Sequence, residues 1–392
     1  MDISDFFEPL DLREFPHSGE TSGQTRLGNL VRIYADAGDF PDYTTFDIAL
    51  VGVTDDRNAI DNEGCGLAPD FIRKYLYKLN PGPHPNKLVD LGNIKKGFTV
   101  ADTYFALSSV IAELISSNVL PVIMGGSQDL TYANYQAYQS LGQIINIVAI
   151  DPMFDLGRSE QELGSQSYLS SIILHQPNYL FNYANIGFQT YFIDQDAIRL
   201  MRNLFFDTYR LGIVHESLEE VEPIVRNADM LSFDISAVRN SDAPGNGNAT
   251  PNGFYGEEAC QIIRFAGLSD KLTSIGFYEV NPKFDKAGQT AHLVAQMIWY
   301  FIDGYYCRAH DFPFRNEEDY LKYRVSISDH KEEIVFYKSK KTDRWWMEIP
   351  LPTEQRIKYE RHYLVPCSYK DYQVACENDI PDRWWMVYQK LM

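Results

Sequence analysis

Residues 48–79 read IALVGVTDDRNAIDNEGCGLAPDFIRKYLYKL, which is an apolar run, a polar loop and an amphipathic stretch in succession. The run at 48–53 has the unbroken apolar composition of a strand that is buried on both faces of a parallel sheet. The stretch at 70–79 has the apolar spacing of a helix. The segment therefore predicts one strand–loop–helix unit of an α/β protein.

The same unit recurs along the chain. The predicted strands are 48–53, 88–91, 122–124, 144–150, 183–187, 230–233 and 273–277. The predicted helices are 70–79, 103–118, 134–141, 256–266 and 290–302. Alternation on this scale predicts a parallel sheet that is covered by helices on both faces.

Polar loops follow five of the predicted strands. They read TDDRN (54–58), GGSQD (125–129), DPMFD (151–155), DISAV (234–238) and YEVNP (278–282). Ligands of open α/β sheets bind at the carboxyl ends of the strands, which is where these loops begin. The polar residues of any single loop are explained by helix capping or turn formation, for which Asp, Ser and Asn are favoured. Five such loops at one edge of a sheet indicate a functional site.

Composition and charge narrow the class of protein. With 392 residues, 45% of them hydrophobic, the chain is long enough for a large core and too apolar for a disordered polymer. A net charge of −19 repels nucleic-acid phosphates and anionic lipid, and no apolar segment is long enough to span a bilayer. Five cysteines without a CxxC pair exclude zinc ribbons, and together with the acidic segment 1–15 they predict a cytoplasmic protein.

The pattern changes after residue 304. Alternating residues predict an antiparallel meander of strands 323–328, 334–338 and 345–349. The sequence DRWWM occurs twice, at 343–347 and 382–386. The paired tryptophans either anchor this segment onto the rest of the chain or form a partner surface, since Trp and Arg dominate binding hot spots. We predict an N-terminal extension (1–46), an α/β domain (47–304) and a C-terminal extension (305–392).

The polar loops also resemble, in order, the motifs of the arginase family, which comprises arginases, agmatinases and formimidoylglutamases. Residues 51–73 are similar to the first family motif, with matches at Gly52, Asp55, Asn62, Gly64, Ala68, Pro69 and Arg73. DLGNI (90–94), GGSQDLTYAN (125–134) and DPMFD (151–155) lie where the family has Asp-Leu-Gly, Gly-Gly-Asp-His-Ser and Asp-Ala-His-x-Asp. SFDISAVRNSDAPG (232–245), EVNPKFD (279–285) and GQTAHLVAQMI (288–298) resemble the motifs that close the fold.

The resemblance implies a three-layer α/β/α sandwich with a parallel sheet of about eight strands. SQSYLSSII (165–173) and GFQTYF (187–192) make the formimidoylglutamase branch the nearest one. The resemblance also implies a homo-oligomer and a small amidine or amino-acid-like ligand. No nucleic-acid or membrane partner is expected.

Family members hold two manganese ions with two histidines and four aspartates, and the ions share the attacking hydroxide. Three of these positions keep their acid in this chain: Asp151, Asp155 and Asp234. The motifs place Gln128 and Met153 where the family has its histidines, and Ser236 where it has the fourth aspartate. Because a thioether and a hydroxyl are poor manganese ligands, the resemblance implies that the second ion is lost. The amide oxygen of Gln128 with three carboxylates still suits one hard cation.

Glu279 lies where the family has a substrate-facing glutamate, which implies a pocket for a cationic nitrogen group. A buried acid that is paired for structural reasons is the alternative. No histidine occurs between Asp155 and Gln166, where arginases place a proton shuttle, and we expect His175 and His292 to be packing or surface residues. Two functions stay open: a pseudoenzyme that serves as a binding or assembly module, or a metal-dependent hydrolase of C–N bonds in linear amidines.

Overall fold

The apolar runs form the middle of a large sheet in the computed structural model, which describes residues 2–15, 25–157, 162–313, 317–327 and 333–391. In chain order its strands are β1 (Phe7–Glu8), β2 (Arg32–Ile33), β3 (Ile48–Val53), β4 (Leu88–Ile94), β5 (Leu120–Met124), β6 (Ile145–Ile150), β7 (Leu180–Phe188), β8 (Asp207–Arg210), β9 (Met230–Asp234) and β10 (Ser274–Tyr278). Along the sheet their order is β1-β4-β3-β5-β10-β9-β6-β7-β8, and β2 pairs with β4. Every one of these pairings is parallel except β1 with β4.

Helices cover both faces of this sheet. They are α1 (Ala68–Leu76), α2 (Val100–Ser116), α3 (Leu130–Ser140), α4 (Tyr168–Leu174), α5 (Gln195–Asn203), α6 (Leu211–Glu216), α7 (Val221–Arg226), α8 (Gly256–Gly267) and α9 (Gln289–Tyr306). Leu50 and Val122 share a core with α1, α8 and α9, whereas their neighbours Val51 and Ile123 share a core with α2 and α3. Successive strand residues point to opposite faces, so the sheet has a core on each side. The predicted three-layer α/β fold is thus confirmed.

Three strands at the sides of the large sheet were not predicted from the sequence. The strands β1 and β2 have two residues each, and β8 reads DTYR. Segments this short or this polar lack the apolar run by which a buried strand is recognised. The described sheet accordingly has ten strands rather than about eight.

The C-terminal segment adds a small antiparallel sheet, as predicted. Its described strands are β11 (Tyr320–Val325), β12 (Ile334–Ser339), β13 (Trp345–Glu348) and β14 (Leu364–Cys367), in that order across the sheet. Three helices accompany them in the described residues: α10 (Thr353–Lys358), α11 (Tyr369–Cys376) and α12 (Asp382–Leu391). The strand β14 was missed because Pro366 interrupts its apolar run, and proline is tolerated on an edge strand such as this one. The strand predicted at 323–328 corresponds to β11, which begins three residues earlier, at Tyr320, and ends at Val325. The last predicted residue, 328, lies outside the described residues.

The two DRWWM copies adopt different structures. The tryptophans of the first copy lie on β13 and those of the second copy on α12. Trp346 and Trp384 are fully buried, and the guanidinium of Arg226 on α7 lies 4.4 Å from the ring centroid of Trp346. Arg226 also donates a hydrogen bond to the carbonyl of Trp345 at 3.1 Å. These contacts favour the anchoring role, since they join the C-terminal sheet to α7.

A buried group of charges also joins the C-terminal segment to the large sheet. The carboxylate of Asp229, just before β9, is fully buried and accepts a hydrogen bond from Arg361 at 2.6 Å. The Nζ atom of Lys271 lies 3.5 Å from the same carboxylate. Burial alone raises the pKa of a carboxyl group, but the charges of Lys271 and Arg361 outweigh that effect and hold the pKa of Asp229 below its usual value.

His362 gives this junction a pH dependence. Its ring stacks on Phe181, and its Nε2 atom lies 3.1 Å from the carbonyl of Ile144 and donates to it. Burial and the neighbouring Lys271 lower the pKa of His362 to about 3, although the charge of Asp229 opposes them. Between that value and the ordinary histidine pKa, only the unfolded chain binds the proton, so stability falls as the pH falls.

We therefore expect protonation of His362 in the unfolded chain to lower the free energy of unfolding by about 1 kcal/mol as the pH falls from 6 to 5. Urea unfolding at both pH values, compared with His362→Gln, measures this contribution. Glutamine keeps a donor for Ile144 but does not titrate, so its stability should fall less over the interval. Equal losses in the two proteins would contradict the assignment.

None of the five cysteines, all of which lie within the described residues, forms a disulfide bond, and Cys307 and Cys376 are exposed. None of the helices in the described ranges has the length and apolar character needed to cross a membrane.

Candidate functional site

The candidate site lies at the carboxyl ends of four adjacent strands, β5, β10, β9 and β6. The loop after β5 carries Gln128, and the residue after β10 is Glu279. Strand β9 ends at Asp234, and the loop after β6 carries Asp151 and Asp155. Because these strands are neighbours, the structure places all five side chains at one edge of the sheet, and each of them is buried.

Glu279 is the most firmly held of these side chains. Its Oε1 atom accepts a hydrogen bond from the backbone N–H of Gln128 at 2.7 Å, and its Oε2 atom accepts one from Asn62 Nδ2 at 2.6 Å. Its carbonyl accepts from Asn62 and from Asn246. The backbone of Glu279 has φ +65°, a left-handed conformation that is rare outside glycine and that clusters at functional sites.

The aspartates are held by the turns in which they lie. Asp151 Oδ1 accepts from the backbone N–H of Met153 at 2.6 Å, and Asp234 Oδ1 accepts from that of Ser236 at 2.7 Å. Asp155 also has left-handed backbone, with φ +50°. These local bonds fix one oxygen of Asp151 and one of Asp234, and they leave the other oxygen of each carboxylate to the site.

Two oxygen atoms of the site are buried and have no hydrogen-bond partner among the residues that the structure describes: Asp151 Oδ2 and Gln128 Oε1. The amide nitrogen of Gln128 donates to Ser232 Oγ at 2.9 Å, so its oxygen is the free end of the amide. A buried acceptor without a donor costs roughly 1–3 kcal/mol. Carboxylate and amide oxygens are ligands that a hard divalent cation prefers, so this donor set fits such an ion.

Burial raises the pKa values of the carboxyl groups of the site, and neighbouring acids add to the shift at three of them. Burial raises the pKa of Asp151 to about 6 and that of Glu279 to about 7. Burial and then the charge of Asp151 raise the pKa values of Asp155 and Asp234 well above the usual range. Like charges in a buried site cannot all be ionised unless a cation or protons balance them.

The two positions that family members use for a second ion are neutral here. Ser236 is buried, and Met153 is half-buried, with its carbonyl accepting from Asn185 Nδ2 at 2.7 Å. Neither side chain offers an imidazole or a carboxylate. Within the described residues, the one set of three His, Cys, Asp or Glu side chains whose ligand atoms lie within 4.8 Å of one another is elsewhere, at His84, Asp303 and Cys307. No three acids of the candidate site therefore bring their ligand atoms that close together in this structure, so binding of one ion would draw them inward.

Sequence reasoning missed several polar side chains near this site. Asp129 is buried and accepts from the hydroxyl of Tyr104, and its burial raises its pKa. Tyr168 and Tyr183 are buried beside each other, and burial, together with the charges of Asp151 and Asp155, raises the pKa of both hydroxyls. Asp129 lies in the quoted GGSQD loop, Tyr168 in the quoted SQSYLSSII segment and Tyr183 at the start of a predicted strand, but no pattern singles them out as site residues.

The two histidines predicted to be packing or surface residues contact tyrosines. His175 follows α4, and its Nδ1 atom lies 2.8 Å from the hydroxyl of Tyr132. His292 is exposed on α9 and stacks on Tyr75 with ring centroids 4.8 Å apart.

Fold and site together define an α/β protein with a buried carboxylate site at the carboxyl edge of a parallel sheet. A model of the Arginase family matches residues 46–303, which is well over half of the chain. The chain belongs to the arginase family, as the order of its motifs predicted.

The curated relatives extend this assignment to a branch. Formimidoylglutamase of Staphylococcus aureus (strain MSSA476) is 26% identical over 266 residues, which cover 65% of this chain and 85% of that protein. Formimidoylglutamase of Photorhabdus laumondii is 24% identical over 275 residues, which cover 66% of this chain and 86% of that protein. The similarity to the formimidoylglutamase-like branch is thus confirmed.

Solved structures agree on the fold. Formiminoglutamase of Trypanosoma cruzi, solved with Mn²⁺, matches with a TM-score of 0.64 at 18% identity and covers 73% of this chain and 99% of that one. Formimidoylglutamase of Bacillus subtilis matches with a TM-score of 0.65 at 18% identity and covers 76% of this chain and 99% of that one. Both matches extend over nearly the whole of the related chain.

Proposed function

We propose that this protein is an arginase-family binding module that holds one divalent cation and no longer carries out two-metal hydrolysis. One observation carries the proposal: the unpartnered oxygens of Gln128 and Asp151 remain for a first ion, whereas Met153 and Ser236 offer no charged ligand for a second. Two ions that share a hydroxide are what lowers the pKa of the attacking water in a two-metal site. Without the second ion the shared hydroxide cannot form.

Manganese is the cation that we propose, held by Gln128, Asp151, Asp155 and Asp234. Four oxygen donors match the preference of hard divalent ions. The Trypanosoma cruzi relative was solved with Mn²⁺. When bound, the ion supplies positive charge that balances the buried carboxylates. Without it, burial and the charges of neighbouring acids raise the pKa values of Asp155 and Asp234.

Glu279 is the group that we propose to bind the ligand. Its carboxylate is held on both oxygens, by Asn62 and by the backbone of Gln128, so it is already oriented for an incoming cationic nitrogen. A small amidine or amino-acid-like compound has this chemistry. We also propose that the protein is a cytoplasmic homo-oligomer, with residues 47–304 as the binding domain and residues 1–46 and 305–392 as extensions.

An active hydrolase of linear amidines, of the formimidoylglutamase type, is the second candidate. It is favoured by the acids that the chain keeps at the family's positions, which are Asp151, Asp155, Asp234 and Glu279. Hydrolysis of formimidoylglutamate, agmatine or arginine by the native protein would support this candidate over the binding module.

Metal content of the purified protein tests the proposal. With manganese supplied and zinc excluded, we expect one ion per chain. The substitution Asp151→Asn should weaken binding by at least about 100-fold, since changes in outer-shell partners alone cost 10- to 100-fold. It removes a charge from the proposed ligand set with little change in shape.

Asp194→Asn is the matched control for this test. Asp194 caps α5 by accepting from the backbone N–H of Ala197, far along the chain from the acids, and asparagine serves equally well as a cap. Its manganese content should equal that of the native protein. No bound ion in native protein at saturating manganese would overturn both the proposed cation site and the hydrolase candidate.

A further inference from the structure

A second group of metal-ligand side chains lies at the other end of the sheet from the carboxylates. His84 belongs to the loop that precedes β4, and Asp303 and Cys307 lie at the carboxyl end of α9. The ligand atoms of the three side chains are all within 4.8 Å of one another, and His84 Nε2 lies 3.0 Å from Asp303 Oδ1. Because the carboxylates follow the ends of the strands and His84 precedes a strand, the two groups are separate.

The helix and the loop hold these side chains in place. Cys307 caps the carboxyl end of α9, and its backbone N–H donates to the carbonyl of Asp303, one turn earlier, so the two side chains lie on one side of the helix end. The ring of His84 stacks on Tyr306, with centroids 5.5 Å apart. Trp299 Nε1 donates to the carbonyl of Asn80 at 2.7 Å, which ties the loop to the same helix.

The second oxygen of Asp303 is already bound. Arg264 on α8 donates to Asp303 Oδ2 at 2.8 Å. This ion pair orients the carboxylate so that Oδ1 faces His84. The three side chains thus offer one oxygen, one nitrogen and one sulfur donor, which are Asp303 Oδ1, His84 Nε2 and Cys307 Sγ.

We propose that His84, Asp303 and Cys307 bind a zinc ion, with water as the fourth ligand. Zinc accepts nitrogen, sulfur and carboxylate ligands in tetrahedral geometry, whereas manganese prefers oxygen donors, so this set selects zinc. Binding releases the thiol proton of Cys307 to solvent and replaces the hydrogen bond between His84 and Asp303 with two bonds to the metal. The ring proton of His84 then resides on Nδ1.

The charge of the ion is offset without the carboxylates of the main site. The thiolate of Cys307 and the carboxylate of Asp303 offset the two positive charges of zinc, and the guanidinium of Arg264, which keeps its bond to Asp303, leaves the group with one net positive charge. The ion joins the loop before β4 to the end of α9. This inference does not rest on the proposed function, and it is tested in a chain that carries Asp151→Asn.

Zinc titration followed by dialysis and metal analysis is the first test. We expect one zinc per chain in the Asp151→Asn background, and at least tenfold weaker binding after Cys307→Ser or His84→Gln. Cys376→Ser removes the other exposed cysteine and should leave zinc binding unchanged. Zinc binding that is equally strong in all of these variants would overturn the proposal.

A second measurement needs no substitution. In native protein, zinc should slow the alkylation of Cys307 by iodoacetamide at least tenfold and leave that of Cys376 unchanged, as read by peptide mapping. Cobalt(II) in place of zinc should give a thiolate-to-cobalt charge-transfer absorption that Cys307→Ser abolishes. Unprotected Cys307, or a cobalt complex without that absorption, would overturn the proposal even if every variant misfolded.

Discussion

A variant with Gln128→His, Met153→His and Ser236→Asp is expected to bind two manganese ions per chain, against one in the native protein. The substitutions supply two imidazoles and a carboxylate at the positions where the family has them. With the second ion, a shared hydroxide becomes available, and hydrolysis of formimidoylglutamate should rise by at least about 100-fold, within the range that proton-transfer catalysis alone contributes. Metal analysis and product formation measure the two effects.

Two further variants control for this gain. Gln128→His alone should retain one ion, because the second position still lacks its ligands. Met153→Leu with Ser236→Ala changes the same two positions without adding a ligand, and its metal content should equal that of the native protein. A triple variant that folds but gains no manganese would contradict the assignment of these residues to the family's ligand positions.

Asp229→Asn is expected to lower the free energy of unfolding by about 3 kcal/mol, the cost of breaking a buried ion pair from one side. The substitution leaves Lys271 buried beside a neutral amide, and it replaces the charged acceptor of the 2.6 Å bond from Arg361 with an uncharged one. Burial already lowers the pKa of Lys271 to about 8, although Asp229 opposes that shift. Urea unfolding at pH 7 measures the change.

The double variant Asp229→Asn with Lys271→Met is the control. Methionine removes the stranded charge with a similar length of chain, so part of the lost stability should return. Exposed ion pairs contribute less than about 1 kcal/mol to the free energy of unfolding. A decrease as small as that in Asp229→Asn would contradict the role of this cluster in holding the C-terminal segment.

The sequence predicted the parallel sheet because its strands are apolar throughout. The predicted strand at 48–53 coincides with β3, and the strand at 144–150 differs from β6 by one residue. The helix predicted at 256–266 begins at Gly256, as expected, whereas the other four begin earlier than predicted. The helix α2 begins at Val100 because the capping residue Thr99 and its partner Asp102 precede the apolar repeat. Patterns of this kind can be recognised in a single sequence because the residues that form them are neighbours along the chain.

Other features depend on contacts between distant residues. The residues that hold Glu279 include Asn62, 217 positions away in the sequence, and no local pattern encodes that bond. The two DRWWM copies show the same limit, since one forms a strand and the other a helix. Pairing with β12 and β14 in one case, and packing of Trp384 in the core of the small sheet in the other, decide the structure over local preference.

The position of β10 has a consequence for how the chain is made. It is the last of the described strands of the large sheet to be synthesised, yet it lies between β5 and β9 and is what joins the two halves of the sheet. Until residue 278 has left the ribosome, β5 and β9 each present an open edge of backbone donors and acceptors. Nascent chains stalled before that point are therefore the form of this protein that chaperones must shield from aggregation.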